Sequence, residues 1–338
     1  MALVKAFGDL VIDDSLSVSI TAAQGLIAAK RSVERPILLV TSSSRRAEEL
    51  TDELATYIGA NHVAYFPPWE TLPHERLSPK SDTIAARYKT LDSIAHSKDI
   101  RIVITSVRGL IQPINSSLLS TQLIRVELGS DIGLEALIER LSFFGFTRTD
   151  LVEKRGDFAV RGGIVDLFPA DHEHPVRIDF FGDTIEEIAH FTVADQRTFA
   201  PISGVLIVYP CRELLLTEDI KKRAGYLAAQ FPQLSQMCHK LSEGISVDGM
   251  ESLTAALTDD LKSLIDYLPK NFEITLIDSH RIASRALDLI ETNKEFLDAS
   301  WSNAALGSTA PIDISSQLEL GGYYSITQLE EVANSRGR

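Results

Sequence analysis

Arg177, Asp179 and Phe181 alternate with Val176, Ile178 and Phe180. A period of two places the first three on one face of a strand. A guanidinium, a carboxylate and a large aromatic on one face fit either a solvated surface or one that binds a partner, since arginine and aromatic residues are enriched at interface anchors. Upstream runs Asp157-Phe158-Ala159-Val160-Arg161, then Gly162-Gly163, then Ile164-Val165-Asp166-Leu167-Phe168-Pro169. Its β-formers read as one strand in which the two glycines mark a bulge or sharp bend. Pro169 stops that strand and residues 171–175 carry turn chemistry, so two strands joined by a turn are expected across 157–183. Within that hairpin Arg177 has Asp179 and Asp183 as local partners, and Phe181 could equally be core.

Catalytic chemistry is poorly supplied. A P-loop needs glycines for backbone approach to phosphate, a lysine for the β/γ charge and a hydroxyl for magnesium. Thr21-Ala22-Ala23-Gln24-Gly25-Leu26 stands where such a loop belongs, with one glycine and neither the lysine nor the hydroxyl after it. Lys30 and Ser32 come too late along the chain to substitute. Two readings stay open: a nucleotide fold whose site is lost, or an ordinary strand–helix turn. Asp278 follows an apolar run as a Walker B acid would, but without a second acid beside it a helix-cap or loop role is expected. His74 and Glu75 lie in a span, 65–79, with four prolines, and read as structural or solvated. Cys211 and Cys238 are too few for a metal cluster and read as buried or incidental thiols. No Ser-His-Asp order, carboxylate pair or metal-ligand cluster can be placed. No cofactor and no metal are therefore expected, and neither reading of the loop supports ATP binding.

The elements that position these residues follow from periodicity. Residues 1–122 alternate strand and helix: strands at 17–20, 36–40, 63–66 and 102–105, helices at 22–32, 45–58 and 82–95. That order predicts a parallel sheet covered by helices. Residues 123–208 predict a mainly antiparallel sheet with one helix, 133–143, whose Leu134, Leu137, Ile138 and Leu141 share a face. Residues 209–338 read as helical at 217–230, 249–267 and 279–298, with a strand at 273–278. A chain of 338 residues suggests two or three domains. A formal net charge of −14 disfavours a surface that grips nucleic acid all over, though a local basic face stays possible. No apolar run is long enough to cross a bilayer, and residues 1–10 do not read as a signal peptide.

Three stretches carry a resemblance: Trp69-Glu70-Thr71-Leu72-Pro73 with Ser78-Pro79 and Arg87; Arg161-Gly162-Gly163 with Asp166-Leu167-Phe168-Pro169; and Arg177 through Glu186. They resemble the UvrB-like module of the bacterial transcription-repair coupling factor family, and the likeness covers essentially the whole chain. UvrB carries a long aromatic hairpin that clamps damaged DNA near the first stretch. Here the passage is too short for it and the tyrosine cluster is absent, which argues against damage verification by this chain.

The resemblance implies an α/β fold: a parallel-sheet domain with a degenerate P-loop, helicase-like, at 1–122, a small α+β antiparallel-sheet domain resembling UvrB domain 2 at 123–208, and a return segment at 209–338 that completes the first. It implies that the small domain docks UvrA through Arg161, Arg177 and Phe181, with Arg155, Asp157, Asp179 and Arg197 as a possible rim. A cytoplasmic, non-catalytic docking module is the expected function. RNA polymerase and DNA would be engaged by other regions of a larger ATP-driven translocase, and a C-terminal domain of the same polypeptide would mask the docking face. The alternatives are a DNA-binding module, which salt-dependent binding would reveal, and a nucleotide-binding module, which an ATP-binding assay would reveal.

Overall fold

The computed structural model describes residues 21–72, 77–115, 122–305 and 322–335. The strand expected at 17–20, together with His74 and Glu75, lies outside them. The strands are β1 Ile37–Thr41, β2 Val63–Phe66, β3 Ile102–Ser106, β4 Ile114–Asn115, β5 Ile124–Val126, β6 Thr147–Arg148, β7 Asp157–Arg161, β8 Ile164–Leu167, β9 Val176–Phe181, β10 Thr184–Phe191, β11 Thr198–Pro201, β12 Leu206–Val208, β13 Leu261–Lys262 and β14 Glu273–Leu276. The described residues fall into two compact units, one drawn from 1–74, 89–116 and 259–338, the other from 75–88 and 117–258.

The first unit is built on a parallel sheet in the order β14-β1-β3-β2. Every residue of β1 and β3 is buried, which accounts for their continuous apolar runs. Ile37, Leu39, Ile102 and Ile104 pack with Ala28, Ala29, Ala47, Leu50 and Leu54. The last three lie on one face of the helix Ser44–Ile58, which starts where the Ser43 hydroxyl accepts a hydrogen bond from Arg46 N and ends at Gly59, φ +99°. The β14 strand enters the helix Ser279–Ala305, where Asp278 Oδ1 accepts from Arg281 N at 3.2 Å. Asp278 is thus a helix cap.

The helix expected at 249–267 is four short pieces. A 3-10 turn (Met250–Leu253), one α-turn (Thr254–Leu257), β13 paired with β4, and a second α-turn (Leu264–Tyr267) share it. Met250, Leu253, Leu257, Leu264 and Ile265 are all buried, as the apolar spacing requires, but in separate pieces. The interruption is local: Thr258 is extended, and Ser263 and Asp266 cap each other reciprocally to start a new turn.

The second unit carries a six-stranded sheet in the order β11-β10-β9-β8-β7-β6, antiparallel except between β6 and β7. Phe158, Val165, Leu167, Val176, Ile178, Ile185 and Ile188 share one buried face, and Leu137 and Leu141 of the helix Leu134–Phe143 are fully buried. Where two strands and a turn were expected across 157–183, three strands stand. Gly162-Gly163 is a two-residue hairpin turn, not a bulge, because Arg161 pairs with Ile164 across it. Gly162 has φ +61°, which supplies the left-handed residue such a turn needs. The helices Glu218–Gln230 and Ser235–Ser242 complete this unit, burying Ile220, Ala224, Leu227, Cys238 and Leu241.

Candidate partner-docking face

Strand pairing brings the sequence-predicted residues onto one face of the second sheet. Ala159 sits opposite Asp166, Asp166 opposite Arg177, and Arg177 opposite Ala189. Directly opposed residues share a face, so Arg161, Asp166, Arg177, Asp179 and Phe181 lie together on the side away from the buried apolar one. Glu187 joins them opposite Asp179, because a register shift between Ile185 and Glu187 restores the pairing.

One end of this face is closed. Val152, Ala159, Phe168 and Phe191 form a small cluster with Val193 against it. Gln196, φ +59°, donates its side-chain amide to Val152 O and Val193 O, which pins the 192–197 loop over the strands.

The opposite end is open and is made of two turns side by side. Phe180 N donates to Gly163 O at 2.8 Å, and a Cβ on Gly163 would come within 2.8 Å of Phe180 O. The second turn, Gly182-Asp183, joins Phe181 to Thr184 and also has its glycine, φ +63°, in the first central position. Phe181 stands at this tip with 75% of its surface exposed.

Between the two ends lies a charge cluster centred on Asp166, which is buried. Arg177 grips it with a fork, Nε to Oδ1 at 2.7 Å and Nη2 to Oδ2 at 2.8 Å. Arg161 Nη2 reaches Oδ2 at 2.7 Å. Arg177 Nη1 donates to Gln196 O at 3.1 Å, and its guanidinium carbon lies 5.0 Å from the centre of the Phe191 ring. The Asp166 carboxylate raises Arg177 above the ordinary arginine value, against the opposing effect of burial. Arg177 therefore takes Asp166 as its bonded partner, instead of the local Asp179 or Asp183, and Phe181 is a surface residue. Burial, and then the facing Glu187, push the Asp179 carboxyl up from its ordinary value. Asp179 Oδ1 has no hydrogen-bond partner among the described residues.

The four rim residues are placed unequally. Asp179 shares the face. Arg155 donates from Nε to His172 O at 2.9 Å and lies over the Phe168 ring. Arg197 is exposed in the 192–197 loop, its backbone N bonded to Asp195 Oδ1. Asp157 is buried at the far end of β7, where Oδ2 accepts from Glu153 N and Lys154 N. Sequence reasoning missed Asp166, Gln196 and Phe191. Asp166 did leave a signal: a lone acid in an apolar strand, with Arg161 and Arg177 in phase on the neighbouring strands.

In the first unit, Thr21–Leu26 form the opening turns of the helix Thr21–Glu34. Gln24 Oε1 accepts from Arg46 Nη2 at 3.2 Å, and a Cβ on Gly25 would come within 2.5 Å of Glu53 Oε1. A carboxylate thus faces the glycine where a phosphate would need donors. Among the described residues no group of three or more His, Cys, Asp or Glu is placed to hold a metal ion, and no helix is long and apolar enough to cross a membrane. Burial raises the Cys211 thiol far above its ordinary value, so it is kept un-ionised.

Known proteins match this chain along most of its length. The family described as UvrB interaction domain matches residues 124–213, which include β5 to β12. The transcription-repair-coupling factor of Mycobacterium tuberculosis is 40% identical over 96% of this chain and 28% of its own length. The transcription-repair-coupling factor of Bacillus subtilis is 27% identical over 80% of this chain and 24% of its own length. That of Escherichia coli is 31% identical over 50% of this chain and 15% of its own length. The chain thus spans less than a third of the length of the relatives it matches. With the interaction-domain match at its centre and this identity along nearly all of its length, the chain belongs to the transcription-repair-coupling factor family (Mfd), as its N-terminal UvrB-like region.

Proposed function

We propose that this chain is a non-catalytic docking module that recruits UvrA to stalled RNA polymerase in transcription-coupled nucleotide excision repair. The observation that carries the reading is Phe181, a large apolar side chain 75% exposed at a tight turn, on the same face as Arg161 and Arg177. An exposed aromatic beside a fixed arginine is the usual make-up of an interface anchor. A guanidinium also suits a partner's carboxylate, through its planar, permanently charged fork. The acid at Glu53 and the missing P-loop lysine weigh against a nucleotide at the first unit. In the full polypeptide, polymerase and DNA contacts fall to other regions, and a C-terminal domain covers this same face until repair begins. The setting is cytoplasmic.

The test is binding to purified UvrA by calorimetry, with wild type beside Arg161→Ala, Arg177→Ala and Phe181→Ala, and circular dichroism on each to check the fold. Binding by wild type and weaker binding by the folded variants supports the reading. No binding by wild type, or equal binding by all three variants, overturns it, and ATP and salt-dependent DNA binding then become the alternatives to measure.

A further inference from the structure

The two arginines of the face are spent differently. A guanidinium has five N–H donors. Arg177 uses three of its nitrogens inside the fold, two on Asp166 and one on Gln196 O, and covers a face of its plane with Phe191. Its side chain is only 19% exposed. Arg161 is 50% exposed and makes one hydrogen bond among the described residues, Nη2 to Asp166. Asp166, 1% exposed, accepts all three bonds from the two arginines.

We infer that Asp166 and Arg177 are positioning residues of the docking face, and that Arg161 is the arginine that meets a carboxylate of the partner. This rests on the docking reading above. The physical basis is a count of donors and of exposure. Arg177 commits three of its five donors inside the fold and has its plane stacked on Phe191. Arg161 commits one and is the more exposed of the two, so it is the guanidinium with donors left to offer outward. Asp166 fixes one corner of the Arg161 guanidinium and leaves its other donors to the solvent side, a pre-ordered arrangement that lowers the entropy cost of meeting a partner. Arg177 in turn holds Asp166 by a two-point grip that a single ammonium cannot copy. Asp179 and Glu187, the other charged groups on this face, would exclude a carboxylate from their side, which leaves the Arg161 side for it.

Two experiments test this, one without any partner. In the chain alone, the Arg177 Nε–Hε signal in a 15N–1H NMR spectrum is expected to exchange slowly with solvent in wild type and in Arg161→Ala, and to be lost to fast exchange in Asp166→Asn. An Arg177 signal unchanged in Asp166→Asn overturns the assignment, whatever UvrA does. In the second, Asp166→Asn is expected to weaken UvrA binding about tenfold in the wild-type background, and to have no further effect in an Arg161→Ala background. A full tenfold loss in both backgrounds shows that Asp166 does not act through Arg161 and overturns the inference. Should Asp166→Asn fail to fold, Arg177→Lys reads the same grip. It keeps the charge but cannot span both oxygens, and it too is expected to weaken binding only while Arg161 is present. Failure of wild type to bind UvrA overturns the docking reading alone, because the exchange experiment still decides the positioning roles.

Discussion

Glu213→Ala should be among the most damaging single changes in the second unit. Arg87 and Glu213 form an ion pair with side chains 1% and 3% exposed, joined by Nε to Oε2 at 2.8 Å and Nη2 to Oε1 at 3.1 Å. Burying two charges costs several kcal/mol each, which the paired geometry offsets. Removing the carboxylate breaks a two-point grip on a buried guanidinium, a loss of about 3–5 kcal/mol. Against a typical domain stability of about 5–15 kcal/mol, that is roughly a fifth or more of the whole. Replacing both partners, as Arg87→Met with Glu213→Leu, removes the charge and keeps the volume. The double variant should therefore recover most of the loss, to within about 1 kcal/mol of wild type. Urea denaturation followed by circular dichroism measures each difference. Hydrogen exchange on the helix Ser81–His96 and on residues 211–216 localises it. Because the pair is buried, the effect should persist at high salt, where exposed pairs such as Arg45–Glu49 fade. A single variant that loses under about 1 kcal/mol, or a double variant no better than the single, would falsify this account.

The other predictions concern the docking face and its surroundings. Phe181→Ala should lower UvrA affinity by about 2 kcal/mol or more, roughly thirtyfold, as an anchor does, and a surface change of this kind should leave urea stability within about 0.5 kcal/mol. Gly163→Ala should cost about 1–3 kcal/mol of stability, because the added Cβ meets a backbone oxygen, Phe180 O, at 2.8 Å, which cannot swing aside as a side chain can; an unchanged denaturation midpoint would show the two turns to be looser than they stand. Glu251 is buried, and that burial pushes its carboxyl up more than Arg212 and the Ser78 hydroxyl pull it down. A carboxyl raised on folding takes up its proton more readily in the folded state, so its contribution is fully present below the unfolded value and lost as pH rises through the folded one. Glu251→Gln should therefore flatten that fall between acid and neutral pH and stabilise the chain at pH 7. A steeper decline in the variant would reverse the sign.

Much of this was legible because it is local. The apolar runs of β1 and β3 and the alternation in β9 each depend on near neighbours, and those strands stand where the sequence places them. The two misreadings share a cause. Gly162-Gly163 fits a bulge and a hairpin turn equally well until the partner of Arg161 is known, and that partner, Ile164, follows at once only if the chain reverses. The apolar spacing of 249–267 fits one helix, but the Ser263–Asp266 cap is a start signal in its midst, and local capping outweighs a periodicity that short pieces can also bury. Charge pairing was the least legible part. Reading a hairpin of two strands makes Asp179 and Asp183 the natural neighbours of Arg177. The third strand puts Asp166 opposite it instead, and only then do Arg161 and Arg177 become two cations on one buried acid.

That single register therefore carries the face. Val165, Leu167, Val176 and Ile178 must point to the apolar side to be buried, and once they do, Asp166 and Arg177 must point to the other. A slip of one residue would bury both charges in the apolar layer and expose the aliphatics, at a cost far beyond any one contact. The hydrophobic side of the sheet thus fixes the position of the polar side to within a side chain. The same register sets the exposed Phe181, at the end of β9, on the face that carries Arg161. On the docking reading, a face assembled on contact would spend part of its binding energy on that order, which the sheet here supplies in advance.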